Sequence, residues 1–444
     1  MKIQKSKKLH KLPARILAVF FCACLLISLP GCTILPDFPE DPSEIPSSGI
    51  TVPEDNPGTD PLIAHSFLEE AVAPEYINPH ETVIIPETTW EAPKPLLDFS
   101  SGLTLEIHND AEFNEFMEHF LTRRATNFSF YACNGYEINN DILLYRFSLP
   151  YVSTTWTQVT EDKVYWDITI RYYPGTYIAD AYLSGDTSEL DEDELKAYDI
   201  AKDFIENTVN KEESFLQKER LIHDFICEKT VYINPKTGEQ VPRHCTAVGV
   251  LLDGEANCQG YTDCCNMLGR MAGMDVKSQS GFGDGTPHVW NIIRIDRNWY
   301  SLDLTYDDTT FEGNGDEYPA YIYFNAGKDI LEATHSLRDG SELIPIKDVS
   351  DENYFYYSDE FPDGGRATGG EADAISKMGD LMANAIKNGY PYASLISENS
   401  YLYSYDIVDP IYDAMKSKGV SDNINIHAYR AGSHTFIMGK LLDS

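Results

Sequence analysis

Five apolar residues, Val164, Trp166, Ile168, Ile170 and Tyr172, alternate strictly with their neighbours, the period of a strand with one buried face. Upstream, Phe113, Phe116, Met117, Phe120 and Leu121 recur at helical spacing behind a strand-like run over 103–107. These patterns predict a small α+β domain over residues 99–190. Two helices follow, the second marked by Leu221, Ile222, Phe225 and Ile226. A helix over 261–271 and strands near 289–295 and 299–304 then fill a core segment, 191–350. The stretch 359–370 contains Gly364, Gly365, Gly369 and Gly370, and 351–370 is read as a linker. Ile375, Met378, Met382 and Ala385 mark one later helix, and Val408, Ile411 and Met415 another. With strands over 423–429 and 435–438 they predict a C-terminal α+β unit, 371–444.

The beginning of the chain has another character. Lys2, Lys5, Lys7, Lys8, Lys11 and Arg15 precede an apolar run from Ile16 to Leu29, and no acidic residue appears before Asp37. A basic start and a short apolar stretch are the layout of a secretory signal. It ends in Leu29-Pro30-Gly31-Cys32, which resembles the lipobox of bacterial lipoproteins, where the cysteine is lipidated and becomes the new N-terminus. The expectation is a signal peptide over 1–31 and a lipid-bearing Cys32 in the bilayer. The remainder is then secreted, a cell-membrane lipoprotein facing the outside.

Residues 33–95 hold 12 of the 24 prolines and 13 acidic residues against a single Lys94. Such a stretch buries too little apolar surface to offset its ordering entropy, so 32–98 is expected to be a disordered tether, with one short helix over 62–72. Without the signal the chain carries 28 basic against 71 acidic residues. That balance repels phosphate backbones and excludes nucleic acid as a partner.

Six of the nine cysteines lie beyond Cys32: Cys133, Cys227, Cys245, Cys258, Cys264 and Cys265. They are too sparse for a disulfide scaffold. Cys258 stands in Gly254-Glu255-Ala256-Asn257-Cys258-Gln259-Gly260-Tyr261, just ahead of the predicted helix. A thiol at a helix N-terminus meets free N–H groups and the positive end of the dipole, which favour its thiolate. Alone, such a cysteine is far more often a small core hydrophobe. His288-Val289-Trp290-Asn291 opens an apolar strand, and a histidine beside a thiol can hold the thiolate and later protonate a leaving group. Trp299-Tyr300-Ser301-Leu302-Asp303-Leu304-Thr305 supplies a carboxylate that could orient that histidine.

Together the three blocks resemble the transglutaminase-like superfamily, with its Cys-x-Gly-Tyr, His-x-Trp-Asn and Trp-Tyr-x-x-Asp-x-Thr patterns in order. The resemblance spans about residues 240–310. It implies an α+β, papain-like core in which a helix carrying the nucleophile packs on an antiparallel sheet, with small α+β flanking domains. It further implies Cys258 as nucleophile, His288 as acid-base and Asp303 as orienting residue, and it calls for no cofactor and no metal.

The residues themselves leave alternatives. A two-residue turn at Arg297-Asn298 pairs Asp303 with Ile292 and sets Asp307 opposite His288, which keeps Asp307 and Asp308 as weaker candidates. Residues 247–256 contain no glutamine to hold an oxyanion; the Cys258 N–H is the natural first donor. A metal site joining His244, Cys245, Cys258 and Cys264 or Cys265 fits no common zinc spacing. The implied function is an extracellular cysteine acyl-transfer enzyme on protein or peptide substrates, cell-wall peptides among them, more a peptidase or amidase than a crosslinker. The alternative is a catalytically retired surface-binding module.

Overall fold

The computed structural model describes residues 95–138, 140–233, 241–308, 320–338, 344, 346–351, 353, 363–390, 392–397, 407–420, 424–431 and 434–441. The signal segment, Cys32 and the helix expected over 62–72 lie outside these residues.

Residues 95–98 belong to the folded part rather than to the tether. Leu96 and Leu97 donate their N–H groups to the Glu115 carboxylate at 2.9 and 3.1 Å, and Leu97 is buried. Strand β1 (Glu106–Ile107) is shorter than the expected 103–107 and leads into helix α1 (Asp110–Thr122). Asn109 caps α1 by accepting the Glu112 N–H, and Phe113, Phe116 and Met117 form its buried face. Strand β2 (Asn127–Cys133), helix α2 (Asn140–Arg146), strand β3 (Tyr151–Thr160) and strand β4 (Lys163–Arg171) complete the unit. The sheet runs β1-β2-β4-β3, and Ile168 and Ile170 of β4 join the α1 phenylalanines in one core.

The middle of the chain packs helices against a five-stranded antiparallel sheet. Helices α3 (Pro174–Ser184), α4 (Glu192–Asn207) and α5 (Phe215–Lys229) surround α6 (Cys258–Met271), after two short paired strands, β5 (Val231–Tyr232) and β6 (Glu255–Ala256). Then come β7 (Val276–Gly283), β8 (Thr286–Ile295), β9 (Asn298–Leu302), helix α7 (Leu304–Asp307), β10 (Phe324–Ala326), helix α8 (Lys328–Thr334) and β11 (His335–Leu337). The spatial order is β10-β9-β8-β7-β11. The apolar run in β8 serves two faces. Ile293 and Ile295 share the core of α5 and α6, whereas Trp290 and Ile292 pack with Leu331 and Val349 on the other side. This is the mixed α+β arrangement expected, with the Cys258 helix laid on an antiparallel sheet.

The linker expected over 351–370 carries strand β12 (Gly364–Ala367). Its glycines read as breakers, but they pair in parallel with β13 (Tyr392–Ser397), Gly365 opposite Leu395. Helix α9 (Glu371–Asn388) precedes β13; helix α10 (Val408–Ser417), β14 (Ile424–Ala431) and β15 (His434–Leu441) follow. The sheet order is β12-β13-β15-β14. Leu395 and Ile437 face α9 and α10, while their neighbours Ile396, Phe436 and Met438 enter the core built around α6. Asp363, just before β12, meets Arg220 of α5 in a two-pronged ion pair with Nη1 to Oδ1 at 2.8 Å.

Candidate active site

Helix α6 begins at Cys258 because Asn257 caps it: the Asn257 side chain accepts the N–H groups of Gln259 and Gly260 and donates to Cys245 Sγ at 3.0 Å. Gly260 is required by close approach, since a Cβ there would lie 2.5 Å from the His244 carbonyl oxygen. Tyr261 donates its hydroxyl to Asp308 deep in the core. The Cys-x-Gly-Tyr block is thus a cap, a close contact and an anchor around one thiol.

That thiol differs from the rest. Cys133, Cys227, Cys245, Cys264 and Cys265 are buried; Cys258 is partly exposed. Burial pushes the Cys227 thiol up to about 12, and Cys264 and Cys265 are also raised by burial, above their ordinary range.

His288 stands near the start of β8, with Nε2 2.6 Å from Asp303 Oδ2, and the Cys258 thiol adds to the pull on its proton. Burial opposes charge on this ring, but the Asp303 carboxylate and Cys258 outweigh it and raise the imidazolium well above the ordinary histidine range. Asp303 leaves β9 as the N-cap of α7; its Oδ1 accepts the N–H groups of Thr305 and Tyr306 at 3.0 and 3.2 Å. Burial works against its ionisation, yet His288 and His335 hold it well below the usual carboxylate range.

The structure brings Cys258, His288 and Asp303 together and removes the register difficulty. The β8–β9 hairpin turns at Asp296-Arg297, with Ile295 paired to Asn298 and Asn291 to Leu302, rather than at Arg297-Asn298. Asp296 takes a φ of 55°, a conformation that aspartate tolerates. The one-residue shift in the turn carries Asp303 two residues closer to His288. Asp307 and Asp308 go elsewhere. Asp307 accepts from Ile322 and Tyr323 N–H groups at 2.9 Å and lies 3.3 Å from His223 Nε2, and Asp308 holds Tyr261.

His335, which the sequence motifs do not include, sits on the same carboxylate, with Nε2 2.9 Å from Asp303 Oδ2. Pairing of β11 with β7 puts it there; nothing in its local sequence marks it. Trp290 is buried beside both the His288 and His335 rings, with centroids 5.9 and 4.8 Å away.

Two groups of metal-ligating side chains converge among the described residues. In one, Glu106 is paired to Lys163 and His108 to Glu112, beside Cys133. In the other, His288 and His335 already share Asp303. The His244, Cys245, Cys258 and Cys264 or Cys265 set does not converge in this way among the described residues. No helix among them is long and apolar enough to cross a membrane.

Residues 202–304 match the transglutaminase-like superfamily, whose members are cysteine-dependent enzymes. No curated protein matches the chain. Among solved structures, one described as a TGase is 15% identical over 46% of this chain, with a TM-score of 0.23. The chain spans 59% of that structure's length. A putative cysteine protease from Cytophaga hutchinsonii is 16% identical over 38% of this chain and 66% of its own, with a TM-score of 0.22. The periplasmic domain of TgpA from Pseudomonas aeruginosa is 12% identical over 36% of this chain and 67% of its own, with a TM-score of 0.23. Likeness at that level transfers no activity.

Proposed function

We propose that the protein is a cysteine acyl-transfer hydrolase, a peptidase or amidase that acts through Cys258, His288 and Asp303. One observation carries this reading: the only described thiol that is not buried shares His288 with a buried, hydrogen-bonded carboxylate. Asp303 fixes the Nε2–H of His288 and stabilises its imidazolium, leaving the other ring nitrogen for the thiol. The Cys258 thiolate attacks an amide carbonyl carbon, forming the C–S bond while the carbonyl electron pair moves onto oxygen. The Cys258 N–H, with no acceptor among the described residues, is the oxyanion donor at the helix start. Collapse breaks the C–N bond, and His288 delivers its proton to the departing amine. Water, deprotonated by the now neutral His288, attacks the thioester; the C–S bond breaks and the thiolate–imidazolium pair returns. Hydrolysis is the preferred outcome because Cys258 is partly open, and water there outnumbers any amine.

Limiting iodoacetamide followed by peptide mapping tests the site. Cys258 is expected to be carbamidomethylated first, and His288→Ala to slow that reaction about tenfold or more. Cys258→Ala is expected to abolish amide turnover, and Asp303→Ala to lower turnover while leaving alkylation measurable. Even, slow labelling of all six thiols would favour a retired binding module instead.

The basic, apolar N-terminal segment and Leu29-Pro30-Gly31-Cys32 support placement on the outer side of a bacterial membrane, held by lipid on Cys32. Mass spectrometry of the mature N-terminus is expected to find diacylglyceryl-modified Cys32. An unmodified cysteine or an intact Met1 would overturn the placement.

A further inference from the structure

Asp303 is loaded on every side. Oδ1 accepts two backbone N–H groups from α7, and Oδ2 receives both His288 and His335. The second histidine belongs to a chain of hydroxyls. Thr334 Oγ1 lies 2.9 Å from His335 Nδ1, and Tyr323 Oη lies 2.8 Å from Thr334 Oγ1. A carboxylate can only accept, so His335 Nε2 carries a proton. A neutral ring then leaves Nδ1 as acceptor, which Thr334 fills by donating, and Thr334 in turn accepts from Tyr323. All three donors are thereby aligned toward Asp303, an arrangement in which each bond polarises the next.

From this geometry we infer that His335 is a positioning residue: as a neutral Nε2–H donor it holds Asp303 Oδ2 jointly with His288 and limits how much of the carboxylate's charge is turned on His288. The inference rests on the triad reading above. The surroundings keep His335 neutral. It is fully buried among Trp290, Tyr306 and Tyr323, and its charged neighbours are Asp303, the His288 imidazolium with ring centroids 5.5 Å apart, and the more distant Asp284. Burial and His288 lower its basicity more than Asp303 and Asp284 raise it. Close strand pairing sets the distance: a Cβ on Gly281 of β7 would fall 2.2 Å from the Ser336 carbonyl oxygen, next to His335 on β11.

The test follows the pH midpoint of Cys258 alkylation by iodoacetamide in the full chain. His335→Phe keeps a ring among the aromatics but removes the donor. More of the Asp303 charge then falls on His288, the imidazolium is held more tightly, and the thiolate forms at lower pH, by roughly half to one pH unit. His335→Gln, whose amide nitrogen can stand where Nε2 stood, is expected to return the midpoint to the native value. An unmoved or raised midpoint in His335→Phe, or the same shift in His335→Gln, overturns the inference. Imidazole 15N spectra of the unsubstituted protein, with the His335 signals assigned by their loss in His335→Gln, need no folded Phe variant. They are expected to show His335 neutral and protonated at Nε2 between pH 6 and 8; a charged ring or the Nδ1–H tautomer overturns it equally. His288→Ala separates the two readings. If it leaves the Cys258 midpoint unchanged, the triad itself fails; if it raises the midpoint while His335→Phe does nothing, only the role of His335 fails.

Discussion

Cys227, His223 and Asp307 form a second cysteine–histidine–aspartate group, with Sγ 3.9 Å and Oδ2 3.3 Å from His223 Nε2. All three are sealed in the core, so the same residue types yield packing there and chemistry at Cys258. Access, rather than composition, distinguishes them. Beside this group lies Glu219, whose Oε2 accepts from Asn325 at 3.0 Å and whose Oε1 has no partner among the described residues. Burial pushes Glu219 up to about 8, against the opposing pull of Asn325 and His223. The folded chain therefore keeps this proton to about pH 8, whereas the unfolded chain releases it near 4.5. Its stabilising contribution is complete below that lower value and is lost as pH rises through 8. Glu219→Gln is expected to match the native protein in urea unfolding at pH 4.5 and to exceed it at pH 9 by about 2–4 kcal/mol. Parallel behaviour at both pH values would contradict the assignment.

Among the elements, α6 depends on its first cap. Asn257→Ala removes two accepted N–H bonds and the contact to Cys245, at about 1 kcal/mol. Because Cys258 is the next residue, the same change is expected to slow its alkylation several-fold, while Asn257→Asp, which keeps the acceptor, changes it far less. Thermal melts and labelling rates of the two variants check this; an Asn257→Ala protein with native values in both would exclude the cap as the device that positions the thiol. Helix α6 and strands β8 and β9 were legible in local spacing, whereas Cys258, His288 and Asp303 were legible only through the three blocks that resemble the transglutaminase-like superfamily. The hairpin register was not: Asp296-Arg297-Asn298 offers two acceptable two-residue turns, and only packing of the sheet selects between them. His335 was invisible for a related reason, since a three-residue strand far along the chain reaches the site only through its pairing with β7. Strand β12 was hidden by Gly364 and Gly365, residues that favour turns unless a neighbouring strand claims them.

On the scale of the molecule, the C-terminal sheet is a wall shared by two interiors. Beside those shared side chains, the Arg220–Asp363 pair ties this unit to the middle of the chain, with both side chains largely withdrawn from water. Asp363→Ala takes from Arg220 its two-pronged carboxylate partner, while the longer contact to Asp224 at 3.5 Å, the hydrogen bond to the Tyr321 hydroxyl at 3.2 Å and the stacking on Tyr321 remain. The substitution is expected to cost about 3 kcal/mol in chemical unfolding. A change below 1 kcal/mol would show that the pair is not a structural tie.

The sharing of Ile396, Phe436 and Met438 with the core around α6 also dictates an order of events during synthesis. A chain growing from its N-terminus can close the unit of α1 and β1–β4 early, because among the described residues that core draws on those between Leu97 and Tyr177. The middle cannot do the same. Its apolar wall stays open until β15 has emerged, so a nascent chain halted before residue 434 presents a chaperone or a protease with a surface that the finished protein never displays.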